Sequence, residues 1–240
     1  MNDEQTQAEE ILKSRYQRQL SLPEVGEEGQ KRLAQAKVLI VGVGGLGSPI
    51  ALYLSGAGVG TLGLIDDDVV SESSLHRQVL YDETQVGEAK AQCARQRLLR
   101  LNSGIEVVAY SQRLTADNAR QLIEPYDIVV DGTDNAAVRY VISDTCKALG
   151  KTYVYGAICG FEGQVSVLCR GKATYRTLYP DEQALKDARA AKAVIGVTPA
   201  IVGSVEAAQV LQLICGYGEP LTDQLWTIDL RTMQSFVINV

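Results

Sequence analysis

The sequence predicts an α/β fold: a Rossmann-like, mostly parallel sheet with helices on both faces, extended by C-terminal antiparallel strands. Strands that are apolar throughout alternate with helical patterns over about the first 160 residues, as expected for a parallel sheet covered on both faces. A cluster of glycines follows the first strand. The last strands alternate apolar and polar residues, which is typical of half-buried antiparallel strands.

The elements of the parallel part follow from these patterns in chain order. An apolar strand at 37–42 passes through the glycines into a helix at 46–57. A second strand at 60–66 ends at acidic residues, and a polar helix is predicted at about 86–101. The remaining elements are a strand at 105–110, a short helix after Asp117, a buried strand at 127–134, a helix near 137–149 and a strand at 152–158.

The antiparallel part is predicted from three alternating segments, EGQVSVLC, LWTID and QSFVIN. The first two are separated by a long stretch whose charged part, 171–199, shows no apolar period over its middle. A connection of that length in a compact domain is usually a functional lid or a disordered segment. We predict a single domain over 1–240, with a nucleotide-binding part at about 30–160 and the antiparallel part with a crossover loop at about 161–240.

Composition narrows the functional classes. The 240 residues carry a net charge of −6, which gives no electrostatic footprint for nucleic acid. No run of about 20 apolar residues predicts a membrane span, and the acidic N-terminus has no apolar signal core, so a cytoplasmic location is expected. The five cysteines are widely spaced and are interpreted as reduced thiols.

The glycine turn predicts a phosphate-binding site. Gly42, Gly44 and Gly47 fit the pattern G-x-G-x-x-G, and Asp66 stands 19 residues after the last of them. A turn of this kind brings backbone N–H groups and a helix N-terminus to a phosphate. Taken alone, it favours a nicotinamide or flavin enzyme, although ATP-using enzymes build similar turns.

Charged residues beyond the turn favour a triphosphate. Arg77 and Lys90 supply two cations close to the predicted sheet edge, more than a pyrophosphate already held by backbone amides requires. Asp131 and Asp134 follow a buried strand, at the edge where open α/β sheets bind ligands. A carboxylate facing a polyphosphate needs a cation between them, most simply Mg²⁺.

Seven motifs together resemble the ThiF/MoeB family, the bacterial relatives of ubiquitin-activating enzymes, from Arg15 to about Asp229. The resemblance implies ATP-dependent adenylation of the C-terminal carboxylate of a small ubiquitin-like sulfur carrier ending in Gly-Gly, with release of pyrophosphate. The motifs are RYQRQ (15–19), GVGGLG (42–47), DDDVVSESSLHRQ (66–78), VGEAK (86–90), DGTDN (131–135), FEGQVSV (161–167) and PAIVGSVEAAQVLQL (199–213).

The resemblance also implies roles for individual residues. Asp66 would accept hydrogen bonds from the ATP ribose, and Asp134 would hold Mg²⁺. Arg18 would reach the phosphates of the partner subunit in a homodimer with two shared sites, while the antiparallel part would bind the carrier. Arg77, Gln78 and Lys90 would contact the phosphates, and the nucleotide-binding set is completed by Gly42, Gly44, Gly45, Gly47, Asp68, Ser74 and Asn135.

Three departures from the family pattern affect the expected chemistry. Thr174 and Thr177 stand where many relatives have cysteines, and the second cysteine pair is absent, so no structural zinc is expected. Arg189 falls where relatives commonly carry the crossover-loop cysteine. Because arginine forms no persulfide or thioester, sulfur transfer through a covalent enzyme intermediate becomes doubtful, whereas adenylation does not need that thiol. Ser74 stands where the family usually has asparagine, a smaller change that we expect to weaken rather than abolish a polar contact to the nucleotide.

Several functions therefore stay open at the level of sequence. Adenylation of a thiamin-pathway carrier is preferred over adenylation of the molybdopterin synthase small subunit, on overall similarity and the compact chain without zinc ligands. An NAD-dependent oxidoreductase would explain the glycine turn but not Arg77, Lys90 and Asp134. A non-catalytic partner subunit and a relative acting on tRNA are further alternatives; the phosphate residues and the acidic balance respectively disfavour them.

Overall fold

The computed structural model describes residues 14–187 and 193–240. Its centre is one eight-stranded sheet. The strands are β1 (Lys37–Val41), β2 (Thr61–Ile65), β3 (Glu106–Tyr110), β4 (Ile128–Asp131), β5 (Thr152–Cys159), β6 (Glu162–Leu168), β7 (Gln224–Asp229) and β8 (Gln234–Asn239).

Helices lie between the strands and cover both faces of the sheet. Short 3₁₀ turns at Glu72–Ser74 and Glu83–Gln85 lie in the loop after β2. The helices are α1 (14–20), α2 (Gly26–Gln35), α3 (Gly47–Ala57), α4 (Lys90–Leu101), α5 (Ala119–Ile123), α6 (Ala136–Leu149), α7 (Tyr175–Leu178), α8 (Glu182–Asp187) and α9 (Val197–Cys215).

The strand order, β3-β2-β1-β4-β5-β6-β7-β8, places a reversal of winding between β1 and β4. The five strands from β3 to β5 in that order pair in parallel, and the last three add on in antiparallel fashion. The predicted fold class is therefore confirmed. In an open sheet, ligands bind outside the carboxyl ends of the strands at the point where the winding reverses, which here is the edge carrying the glycine turn.

Two apolar clusters fill the space on either side of the sheet. One joins α3, α4 and α9 to residues such as Ile40 and Val165, and the other joins α5, α6 and α7 to Val129 and Tyr153. By length and composition α9 is the one helix among the described residues apolar enough to cross a membrane. Its packing on α3, β5 and β6 accounts for this apolar character, because a core helix contacted from several sides is apolar around its circumference.

The structure differs from the predicted elements in several places. It adds α1 and α2 before β1, and α7 and α8 in the stretch 171–199, for which the sequence patterns predict no element. The predicted polar helix begins at Lys90 rather than near 86, because Val69 and Ala89 form a β-bridge and Gly87 has a φ of 93°. The 19-residue α9 is absent from the predicted elements. All six residues of β8 are exposed, so this strand is not half-buried as its alternation predicts.

A carboxylate lies inside the core between α9 and β5. Glu206 is fully buried, and its two carboxylate oxygens have no hydrogen-bond partner in the part of the chain that the structure describes. Its Cδ would lie 2.3 Å from a Cβ built on Gly156, so the glycine makes the room that the carboxyl group occupies. Burial raises the pKa of Glu206 well above its ordinary value of 4.5, as does Asp131, while Arg139 opposes the shift.

We expect Glu206 to make the protein less stable as pH rises. The folded protein keeps this proton at pH values at which the unfolded chain has released it, so the contribution is complete below pH 4.5 and is lost as pH rises from there through the raised folded value. Glu206→Gln should flatten the fall in the free energy of unfolding, by up to about 1.4 kcal/mol per pH unit. Urea unfolding at several pH values from about 5 to about 8 measures this slope.

The exposed Glu219 supplies the control. Glu219→Gln should keep the wild-type slope. An unchanged slope in Glu206→Gln would mean that the buried carboxyl does not titrate as its surroundings require.

Candidate active site

The glycine turn is held tightly against the loop that follows β4. Gly42 has a φ of 89°, and a Cβ on it would lie 2.6 Å from the carbonyl oxygen of Gly132. A Cβ on Gly47 would lie 2.1 Å from the carbonyl oxygen of Gly42. Glycine is therefore required at both positions, and the N-terminus of α3 opens directly beside the turn, where its unpaired N–H groups can meet a phosphate.

The start of α9 covers the other side of this turn. A Cβ on Gly45 would be 3.2 Å from Pro199, and a Cβ on Gly203 would be 2.5 Å from the carbonyl oxygen of Leu46. The motif at 199–213 thus packs against the motif at 42–47, although more than a hundred residues separate them in the chain.

Asp66 lies at the end of β2 with its carboxylate beside the turn. Its Oδ2 accepts a hydrogen bond from Val43 N and its Oδ1 one from Asp68 N, both at 2.9 Å. Burial raises the pKa of Asp66, and the two backbone donors oppose this shift. Each oxygen keeps a further lone pair, so the carboxylate can also accept hydroxyl groups such as those of a ribose.

The two predicted cations are both held near this edge. Lys90 begins α4 with its side chain 8% exposed, and its Nζ lies 3.0 Å from Asp68 Oδ2. Arg77 Nη1 donates to the carbonyl oxygen of Ser73 at 3.1 Å and lies 2.8 Å from His76 Nε2. His76 therefore helps to fix the arginine, a contact that the sequence motif does not specify.

Two polar residues of the same loop are buried. Gln78 is 5% exposed, with Nε2 3.4 Å from a Cβ position on Gly44. Its Oε1 has no hydrogen-bond partner within the described ranges. Buried amides are normally satisfied, so this acceptor would be completed by a donor group such as a ligand hydroxyl, whereas a phosphate oxygen could accept only from Nε2. Ser74 is also buried and shares a 2.8 Å hydrogen bond with Ser71 Oγ.

Of the two aspartates at the end of β4 and in the loop after it, Asp131 is engaged within the protein. Asp131 is fully buried and pairs with Arg139 Nε at 2.9 Å. It also accepts from Tyr153 OH at 2.7 Å and from Thr133 N at 2.9 Å. These contacts leave it no role facing a metal, so Asp134, which is exposed, is the carboxylate at this loop that fits Mg²⁺ bound through phosphate oxygens.

Arg139 and Asn135 hold the loop that carries Asp134. Arg139 Nη2 donates to the carbonyl oxygens of Thr133 at 2.7 Å and Gly156 at 3.1 Å. Asn135, predicted to bind nucleotide, caps α6 by accepting from the backbone N–H groups of Ala137 and Val138. Its side-chain oxygen therefore serves the helix, whereas its amide nitrogen is free of that role.

Arg18 lies far from the glycine turn of its own chain. It is exposed on α1, and the neighbouring Gln19 donates to the carbonyl oxygen of Ala57 at the end of α3. The glycine turn adjoins the opposite end of α3, which has 11 residues and is thus about 16 Å long. The structure brings Asp66, Arg77, Gln78, Lys90 and Asp134 to one edge of the sheet, but not Arg18.

The departures noted in the sequence have different outcomes. Thr174 and Thr177 lie in a hydrogen-bonded turn, with their hydroxyl oxygens 3.2 Å apart. Arg189 falls outside the described residues. Of the five cysteines, three are buried, Cys169 is intermediate and Cys159 is exposed.

The motifs did not reveal Tyr81, Arg139 or Tyr153. Tyr81 OH donates to the carbonyl oxygen of Val43 in the glycine turn at 2.8 Å. Arg139 and Tyr153 contact Asp131 from α6 and β5. Because all three residues lie outside the segments they contact, no local sequence pattern identifies them. The position of Arg139 one helical turn after Asn135 is the single local signal.

Comparisons with known proteins agree with this geometry. The ThiF family model matches residues 16–240. A sulfur carrier protein adenylyltransferase of Thermus thermophilus is 46% identical over 90% of this chain and 82% of its own length. The probable adenylyltransferase/sulfurtransferase MoeZ of Mycobacterium tuberculosis is 42% identical over 95% of the chain, and MOCS3 of Mus musculus is 44% identical over 92%. The chain spans 60% of the former relative and 48% of the latter.

Solved structures show the same fold. Escherichia coli MccB with MccA-N7isoAsn has a TM-score of 0.84 at 23% identity, covering 95% of this chain and 71% of that one. MccB with ATP has a TM-score of 0.79 at 25% identity, covering 88% and 65%.

We expect the Asp131–Arg139 pair to be essential to stability. The two side chains are 0% and 11% exposed, and removing one partner leaves a buried charge without compensation. Arg139→Met should therefore lower the free energy of unfolding by about 3–5 kcal/mol, measured by urea denaturation.

Two further variants test the cause. Asp131→Asn combined with Arg139→Met should recover part of the loss, because no unpaired charge remains. Arg120→Met, which breaks an exposed ion pair with Glu124, should cost less than about 1 kcal/mol. Equal costs at the two arginines would show that the pair at Asp131 is not specially important.

Proposed function

Because this chain belongs to the ThiF family and is an adenylyltransferase, we propose that it uses ATP to adenylate the C-terminal carboxylate of a small ubiquitin-like sulfur carrier ending in Gly-Gly. The observation that carries the proposal is the convergence of Arg77 and Lys90 with the glycine turn and with Asp134 at one sheet edge. The Thermus relative, which this chain matches over most of its length, bears that activity in its name.

In the proposed reaction, the residues at this edge of the sheet stabilise the negative charge on the phosphates. An oxygen of the carrier carboxylate attacks the α-phosphorus of ATP, and the bond to the bridging oxygen breaks as pyrophosphate leaves with the electron pair. Negative charge develops on the phosphate oxygens in the transition state, and cations already fixed in place stabilise it without reorganisation. Arg77 and Lys90 would provide these cations, Asp66 would bind the ribose, and Asp134 would hold the Mg²⁺ that accompanies ATP.

The pathway is the finer part of the proposal. We favour a thiamin-type carrier and keep the molybdopterin synthase small subunit as the alternative, since relatives with sulfur-carrier and with molybdopterin-synthase names both match this chain. The same proposal includes a cytoplasmic location and carrier binding by the antiparallel part at about 161–240. A 480 Å³ groove that runs from β5 to β8 is lined by Ala157, Gln164, Thr227 and Phe236 among others, and would fit an extended chain terminus.

A homodimer with shared sites completes the proposal. Arg18 is exposed, and its helix is bonded to the end of α3 that is remote from the glycine turn. A rigid helix in this position cannot deliver the guanidinium to the site of its own chain. A second copy could accept it, in the manner of an arginine finger supplied in trans.

We expect the purified protein, given Mg·ATP and its carrier, to exchange radiolabelled pyrophosphate into ATP. Exchange reports reversal of adenylate formation and requires no sulfur transfer. Asp134→Ala should abolish it while leaving the circular dichroism spectrum unchanged, and Asp117→Ala, an exposed aspartate remote in sequence from the motifs, should keep it. No exchange with either carrier type would refute the proposed function, and NADH binding would support the oxidoreductase alternative.

We expect Arg18→Ala to fold and dimerise but to lose most activity. Fingers supplied in trans contribute about 10³ to 10⁵ in rate, and the lower end is expected here because Arg77 and Lys90 remain. Mixing Arg18→Ala with Asp134→Ala should restore roughly half of the wild-type rate per mixed dimer, because one shared site carries both lesions and the other neither. An inactive mixture whose subunits demonstrably exchange, or an active wild-type monomer, would exclude the shared site.

A further inference from the structure

A buried polar network fastens α1 to the far ends of α3 and α4. Asn102, at the end of α4, is 1% exposed. Its Nδ2 donates to Tyr16 OH at 2.7 Å and to the carbonyl oxygen of Ser55 at 2.8 Å. Its Oδ1 accepts from Gly104 N at 3.1 Å. One side chain thus links α1, α3 and the loop after α4.

Further side chains bind backbone carbonyls at the same helix ends. Gln19 and Gln30 both donate to the carbonyl oxygen of Ala57, at 3.1 and 3.0 Å, and Gln19 also donates to Gln30. Arg15 donates to the carbonyl oxygen of Leu101 at 3.0 Å. The last carbonyls of a helix have no partner within it, so these bonds satisfy groups that α3 and α4 leave open.

The fit around Tyr16 is close. A Cβ on Gly58, which has a φ of 85°, would lie 2.5 Å from Tyr16 OH. The glycine that ends α3 is therefore required both by its backbone conformation and by the tyrosine packed on it. Tyr16 is buried with its ring in this contact. The contact fixes the position of α1 against the rest of the protein.

The packing of α1 determines the direction in which Arg18 points. At 100° per residue, Arg18 is about 160° around α1 from Tyr16 and about 100° from Gln19. The face that carries Tyr16 and Gln19 meets α3 and α4, whereas Arg15 is exposed and reaches Leu101 from the edge of that face. Arg18 therefore faces outward, in keeping with its exposure.

We propose that Asn102 and Tyr16 are positioning residues for the active site of the partner subunit. The inference rests on the proposed function and extends it: the network holds α1 so that Arg18 is presented across the dimer. The glycine turn of the same chain lies at the other end of α3, about 16 Å away, so loosening α1 impairs the partner's site and spares its own.

Subunit mixing tests this directional effect. Tyr16→Phe should slow carrier-dependent pyrophosphate exchange by roughly fivefold to tenfold, the change expected for one lost buried hydrogen bond, and Asn102→Ala, which removes all three bonds of that side chain, should slow it more. Mixed with Asp134→Ala, either variant should regain activity. One of the two sites then combines an intact Asp134 from one subunit with a correctly held Arg18 from the other. Mixed with Arg18→Ala, neither variant should regain activity, because every site receives either a loosened α1 or an α1 that lacks Arg18.

The opposite pattern, recovery with Arg18→Ala and none with Asp134→Ala, would overturn the inference, since the lesions would then act on their own site. Recovery with both partners, or a wild-type rate in both variants, would also overturn it. The mixture of Arg18→Ala with Asp134→Ala serves as the reference. If this mixture recovers no exchange activity, the shared-site model itself is wrong. If it does recover activity, a contrary result with Asn102→Ala or Tyr16→Phe refutes only their positioning role. Ser103→Ala, an exposed neighbour of Asn102, should leave every rate unchanged.

Hydrogen exchange gives a readout independent of activity. In Tyr16→Phe, which keeps the buried ring, amides of α1 should exchange faster while those of the glycine turn at 42–47 keep wild-type protection. Equal acceleration in both regions would indicate general destabilisation and contradict a positioning role.

Discussion

The contact between two backbones at the ends of β1 and β4 is the constraint on which the site depends. A Cβ on Gly132 would lie 1.9 Å from the carbonyl oxygen of Gly42, so side chains at these crossing positions are excluded. The close approach brings the end of β4 alongside the glycine turn at the point where the winding of the sheet reverses. The carboxylate of Asp134 and the phosphate-binding backbone therefore come from neighbouring strands, with no long loop needed between them.

Two ion pairs in this region differ in their exposure to solvent. Asp131 and Arg139 neutralise each other inside the protein, where an unpaired charge is costly, and they tie the loop after β4 to β5. Lys90 and Asp68 form a second pair, but there the carboxylate is 66% exposed. An incoming polyphosphate can compete for Lys90, whereas Arg139 is held by a carboxylate that is fully buried.

Much of this arrangement follows from local sequence. The apolar strands, the glycine spacing and the acidic ends of β2 and β4 are short-range patterns, and they located the parallel sheet and its edge. The family resemblance names Asp134 alone as the metal ligand, but the burial and pairing of Asp131 could not be predicted, because its partners Arg139 and Tyr153 are set by the packing of α6 and β5. The length of α9 was concealed by its composition, since apolar residues occur on all its sides and leave no amphipathic period. The exposure of β8 escaped prediction because its residues alternate as a half-covered strand would, yet nothing described covers either face.

The space shared by Gly156 and Glu206 ties two positions fifty residues apart into one unit of evolutionary change. Because a Cβ at 156 would come within 2.6 Å of both carboxylate oxygens, a side chain can appear there only after position 206 has become smaller. Once position 156 carries a side chain, reversion at 206 is closed in turn, because core atoms cannot overlap. The order in which such substitutions accumulate in a lineage is thus imposed by volume, independently of the chemistry at the sheet edge.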